Sequence, residues 1–227
     1  ITLDLIEMFG LPKNPVAETD LRILFENQEF GALISSLTKL VDLRVKEMKV
    51  VMEYDLSRFN PAGGTDVVFG HIEIPIPAPR YDSYGYNQYP WKIYLLNALK
   101  DDFDEFICVT VHEMAHIVLR SRNHTRKDSE EATDMMIIML GFEKMYHRAH
   151  MKRSFKRHNF GYLSKENIQS LHSTVQYFKN KGVAGPGQAY KSLNKKKFDN
   201  SREVFKDFGN SLNNLIEELF GKSPFKF

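Results

Sequence analysis

Residues 101–119, DDFDEFICVTVHEMAHIVL, decide how this chain is read. Phe103, Phe106, Ile107, Val109, Val111, Met114, Ala115, Val118 and Leu119 cover most of a helical circumference. A helix that is apolar nearly all round is a buried one. Asp101, Asp102 or Asp104 caps its start. Three polar side chains, His112, Glu113 and His116, stand inside that apolar setting. Burying such groups without partners is costly, so something must satisfy them. Residues four apart project from one helix face, so both imidazoles can hold a single Zn2+ while Glu113 reaches a water on it. Zinc brings the pKa of such a water toward neutrality, and the carboxylate can then take its proton. Shuffling this composition gives H-E-x-x-H in roughly one chain in fifty. The pentapeptide alone is therefore not decisive, and its buried setting carries the argument.

A zinc that does chemistry needs a third protein ligand and one open position. A second buried helix is expected from about Ser129 to Leu140, ended by Gly141 as a C′ residue. It begins Asp128-Ser129-Glu130-Glu131-Ala132-Thr133-Asp134. Glu130 and Asp134 share a face and Glu131 falls on another. With Asp128 as N-cap, Glu131 would close a capping box. That makes Glu130 the better third ligand and Glu131 the runner-up. Asp134, one turn on, would accept the free N–H of a ligating histidine and fix its tautomer.

His112-Glu113-x-x-His116 followed by Glu130-x-x-x-Asp134 on a second helix resembles the gluzincin zinc metallopeptidases, the thermolysin-like superfamily. The short form is similar to minimal peptidases of the Ste24/HtpX and ImmA/IrrE kinds. The resemblance covers roughly residues 101–141. It implies an α+β, zincin-like fold in which a small mixed sheet with an edge strand precedes the buried H-E-x-x-H helix and the second ligand-bearing helix. It implies one Zn2+ per chain held by His112, His116 and Glu130, with Glu113 activating water and Asp134 supporting a histidine. It implies an endopeptidase acting on a protein or peptide. The metzincin pattern does not fit, because Leu119 and Arg122 stand where that group needs a glycine and a third histidine.

Upstream, residues 18–41 read as two helices, with Leu33, Ile34, Leu37, Leu40 and Val41 at helical spacing in the second. Met48 to Tyr54 alternates as a strand with one mostly buried face, and Asn60 to Gly64 is a turn. Val67 to Ile74 reads as a strand stopped by Pro75, Pro77 and Pro79, hence at a sheet edge. His71, Ile72, Glu73 and Ile74 are the candidate for pairing with an extended substrate. A capped edge that merely avoids aggregation fits them equally. An aromatic loop over 81–91 leads into a third strand from Lys92 to Leu96. The oxyanion-stabilising group expected in such a site could be Tyr146, His147, His150, His158 or Tyr162, which the sequence does not rank. Cys108 reads as a small buried apolar residue.

By organisation, residues 1–180 form the candidate metallopeptidase domain, with helices and a first strand over 1–60 and the sheet over 61–100. The zinc-binding helices follow over 101–141 and a basic helical part over 142–180, including a helix at about 164–180. A Gly-, Lys- and Asn-rich linker occupies 181–200, and 201–227 is an amphipathic C-terminal helix.

With 227 residues, 42% hydrophobic and 26% charged, the chain has an ordinary globular composition and length enough for a core. No apolar run approaches the roughly 18 residues that cross a bilayer. The single cysteine excludes an internal disulfide framework and, with that composition, suggests a cytoplasmic location. The net charge of +2 is unevenly spread. Residues 144–200 hold 13 Lys and Arg against Glu166 and Asp199, a local +11 that leaves −9 elsewhere. This segment suggests a second functional class, a non-catalytic regulatory module binding nucleic acid or an acidic partner. The intact Glu113 favours the enzyme, since a structural zinc site has no use for it.

Overall fold

The computed structural model describes residues 1–43, 45, 47–54, 69–73, 90–154, 163 and 165–180. The expected turn at 60–64, most of the aromatic loop, the linker 181–200 and the helix 201–227 lie outside those residues, as do Ile74, His158 and Tyr162. The element order is α1 (Thr2–Phe9), α2 (Thr19–Glu26), α3 (Phe30–Leu40), β1 (Glu47–Glu53), β2 (Gly70–Glu73) and β3 (Pro90–Leu96), followed by a 3-10 turn at Asn97–Asp101. Four helices complete it, α4 (Phe103–Ser121), α5 (Glu130–Met139), α6 (Glu143–Ser154) and α7 (Lys165–Asn180). The class is α+β.

The sheet is small and mixed, in the order β1-β3-β2, with β1 parallel and β2 antiparallel to β3. Pro90-Trp91-Lys92-Ile93-Tyr94-Leu95 alternates outward and inward, so Trp91, Ile93 and Leu95 reach the core from the central strand. Trp91 thus belongs to strand and core, not to a loop. On β1 the expected buried face is only half-buried, and Tyr54 beyond its end is 78% exposed. The reason is position, since β1 lies at one edge of the three-stranded sheet and β2 at the other.

Helix α1 has no counterpart in the sequence reading. It is short and lies ahead of Gly10, Pro12 and Pro15, yet it buries Leu5 and Ile6. Thr2 Oγ1 approaches Met135 Sδ of α5 at 3.7 Å. The strand-like stretch behind it is tied to the end of α5 by Lys13 N–H to Met139 O and Val16 N–H to Gly141 O, both 2.9 Å.

Helix α4 is buried along most of its length, as its composition requires. Asp102 is its N-cap and accepts from Glu105 N–H at 3.1 Å. Asp104 is buried inside the first turn and takes Arg148 and Lys152 of α6 as its cations. Arg148 also pairs with Glu18 and Lys152 with Asp102. Burial alone would raise the Asp104 carboxyl, but these cations hold it below the ordinary carboxylate range. The described start of the basic segment is thereby joined to acids of its own chain.

Helix α5 begins one residue later than the capping-box reading requires. Ser129 is the N-cap and accepts from Ala132 N–H at 3.3 Å, while Asp128 pairs with Arg120 at 2.7 Å. Glu131 therefore sits at the second helical position, exposed, and closes no capping box. The other end closes as a Schellman motif, with Gly141 N–H to Ile138 O at 3.0 Å and Phe142 N–H to Ile137 O at 3.1 Å. Gly141 has φ 94°, and a Cβ there would collide with the carbonyl oxygen of Asn14. Two independent demands thus fall on one glycine. Gly141→Ala is expected to lower unfolding stability by about 1–3 kcal/mol, measured by urea denaturation. A loss within experimental error would contradict this closure of α5.

Candidate metal centre

Helices α4 and α5 pack side by side, and their polar residues meet at one point. His112 and His116, one turn apart on α4, place their ring centroids 4.9 Å apart at 82°. Glu130, the first residue of α5, directs Oε2 to within 2.9 Å of His112 Nε2 and 3.5 Å of His116 Nε2. The three side chains each offer one ligand-type atom, all within 4.8 Å of one another. Donors around a tetrahedral zinc, at Zn–N and Zn–O distances of about 2.0–2.2 Å, stand roughly 3.3 Å apart. The two measured separations bracket that value. Glu131 points to solvent and is not in the cluster.

The next two polar residues of α5 aim the imidazoles. Asp134 is buried, and its Oδ1 lies 2.8 Å from His112 Nδ1. Thr133 Oγ1 lies 3.0 Å from Ser129 O and 3.3 Å from His116 Nδ1. The hydroxyl has one proton and gives it to the Ser129 carbonyl, so it accepts from His116 Nδ1–H. A carboxylate likewise only accepts. Both histidines therefore carry their proton on Nδ1 when neutral and present the Nε2 lone pair toward Glu130, as metal ligation requires. Sequence reading gave Thr133 no role. Its signal was available, as a hydroxyl on an otherwise apolar helix three residues after Glu130.

Charge at this point matches that geometry. Burial disfavours a charged His112, but the hydrogen bonds it gives to Asp134 and Glu130 outweigh it and raise its pKa to about 10. Hydrogen bonds from His112, and after it His116, hold the Glu130 carboxyl far below the carboxylate range. The centre is thus a sink for positive charge. Glu113 is buried, and burial pushes its carboxyl up against the opposing pull of both imidazoles.

Strand β2 backs onto Glu113 through Gly70. A Cβ at Gly70 would stand 2.6 Å from Val109 Cγ1 and 2.8 Å from Glu113 Oε1. The glycine that opens the strand lets the sheet edge approach α4 closely, a meaning that glycine in a strand often carries. His71 and Glu73 face solvent, with Ile72 inward. Glu73 accepts from Tyr94 Oη at 2.6 Å and lies 3.6 Å from Lys92 Nζ.

Of the candidate oxyanion groups, Tyr146, His147 and His150 are described, and none of the three belongs to the group of His112, His116 and Glu130. Tyr146 is buried and gives its hydroxyl proton to Asp134 Oδ2 at 3.1 Å, so it braces the carboxylate behind His112. Burial and that carboxylate push its phenol well above the ordinary range. His150 stacks on the Tyr146 ring at 6.3 Å, and His147 lies beside Glu143 and His172. Cys108 is fully buried, and burial raises its thiol pKa.

No family model matches this chain, and no match was found among curated proteins or solved structures. The reading of the site rests on its own residues.

Zinc titration of the purified protein tests the ligand set. Glu130→Ala is expected to abolish binding at this centre and Glu131→Ala to leave it intact. Thr133→Val and Asp134→Asn, which keep the volume and remove the brace, should each weaken that binding by about 10–100-fold. Loss in Glu131→Ala with retention in Glu130→Ala would reverse the assignment.

Proposed function

We propose that the chain is a zinc-dependent metallopeptidase of gluzincin type, with a zincin-like fold, cleaving peptide bonds within a protein or peptide substrate. The observation that carries the reading is the meeting of His112, His116 and Glu130 from two buried helices, with both Nε2 atoms facing Glu130 and Glu113 beside them. Two imidazoles and one carboxylate are the donor set of a hydrolytic zinc, and they leave a vertex for solvent. Zinc bound there supplies a Lewis acid for the scissile carbonyl and makes a water acidic enough to be deprotonated near neutral pH.

The remaining work falls to the chain. Glu113 takes the proton from the attacking water and hands it to the leaving amine, so its carboxyl must be basic enough to accept and acidic enough to return it. Burial moves it in that direction. Asp134 and Thr133 keep the imidazoles aligned, and Tyr146 keeps Asp134 in place. Strand β2, at the sheet edge among the described strands and in contact with α4 at Gly70, supports the idea of an extended peptide lying along it.

The competing reading, a nucleic-acid or acidic-partner module, draws little support from the described part of the basic segment. Arg148 and Lys152 are joined to Asp104, Glu18 and Asp102. Among the described residues no helix is long and apolar enough to cross a membrane.

Comparison of new protein N-termini in cells expressing the wild type and Glu113→Gln tests the activity. Cleavage products present with the wild type should vanish with Glu113→Gln, while zinc content is unchanged. Identical sets of termini would contradict the proposal. For a peptide substrate found in this way, Gly70→Ala should lower kcat/KM by about 10–100-fold with zinc retained, because the added methyl displaces the Glu113 carboxylate.

A further inference from the structure

Glu143 and His147 lie one turn apart on α6, and His172 comes to them from α7. Glu143 Oε1 is 2.9 Å from His172 Nε2 and 3.7 Å from His147 Nε2. One ligand-type atom from each of the three lies within 4.8 Å of the others, and the imidazole rings stack at 6.3 Å with 14° between their planes. This group shares no residue with the centre formed by His112, His116 and Glu130.

An ion pair between Glu143 and His172 explains the shorter distance. His147, one turn on from Glu143, places its Nε2 toward the same oxygen within ion-pair reach, at a separation too long for a hydrogen bond. A cation between the three explains both, since the two distances again bracket the roughly 3.3 Å between neighbouring ligands of a tetrahedral zinc. We propose that Glu143, His147 and His172 form a second site, for a divalent transition metal of the Zn2+ kind, that staples α7 onto α6. Glutamate and histidine at i and i+4 present two ligands from one helix face, and the third arrives from a neighbouring helix. The three side chains are between 38% and 46% exposed, which leaves solvent to complete the coordination. Exposure also makes this the weaker of the two sites. Among its described residues α7 also buries Ile168, Leu171, Thr174 and Val175, and the metal adds a cross-link between α6 and α7.

Calorimetric titration of chelator-treated full-length protein with Zn2+ alone decides the matter. The wild type should take up two equivalents of unequal affinity. His172→Ala should lose the weaker one and, with it, the rise in Tm that zinc produces at that step. Glu130→Ala should lose the stronger one and keep the weaker. Should His172→Ala fold poorly, His147→Gln makes the same test. A wild type and a His172→Ala variant with the same number of sites and the same affinities would overturn the proposal and leave a plain Glu143–His172 ion pair. A wild type with a single equivalent, lost in His172→Ala and kept in Glu130→Ala, would support the staple while removing the metallopeptidase reading.

Discussion

The structure depends on how three polar side chains are satisfied inside a helix that is otherwise a core element. His112, Glu113 and His116 lie on α4 among Ile107, Val111, Met114 and Ile117, with Glu113 and His116 buried and His112 half-buried. Leaving such groups unpaired would cost several kcal/mol, a large fraction of the stability of a domain this size. Helix α5 answers the two imidazoles with Glu130, Thr133 and Asp134, spaced so that one turn carries a candidate ligand and two braces. The brace extends outward to Tyr146 of α6 and to the Ser129 carbonyl. A site held at this many points is stiff, and stiffness is what fixes ligand geometry for a metal.

The frame around the helix pair serves the same end. The N-terminal half of α4 is joined by Asp104 to Arg148 and Lys152 of α6, the helix whose Tyr146 also reaches Asp134. The end of α5 is fixed by the Schellman closure at Gly141 and by the 11–17 stretch that crosses it. The sheet supplies the remaining wall through Gly70, whose missing side chain lets β2 lie against Val109 and Glu113. Each of these contacts acts on the position of one carboxylate or one imidazole, which is why residues distant in sequence bear on a single point.

Much of this was legible in the sequence, and the parts that were not share a cause. Periodicity gave α2, α3, α4, α5 and the three strands, because their apolar residues repeat at the spacing that burial imposes. Helix α1 was missed because it is only 8 residues long, too short to set a period before Gly10 ends it. The capping residue of α5 was misplaced by one, since Asp128 and Ser129 are both good N-caps and only the Arg120–Asp128 pair shows that the aspartate is occupied elsewhere. At the site, the spacing of His112, His116, Glu130 and Asp134 was readable because it follows from helical geometry alone. The close approach at Gly70, the bracing role of Tyr146 and the His172 partner of Glu143 were not, because they arise where separate elements meet. Spacing along one helix cannot report a contact made by another.

The central claim is that α4 and α5 converge on one metal ion, and anomalous diffraction from zinc-loaded crystals tests it most directly. Maps from data collected on either side of the zinc absorption edge should show a peak within about 2.0–2.2 Å of His112 Nε2, His116 Nε2 and a Glu130 carboxylate oxygen. A map with no density there, and the Glu130 carboxylate turned away from both imidazoles, would contradict the account.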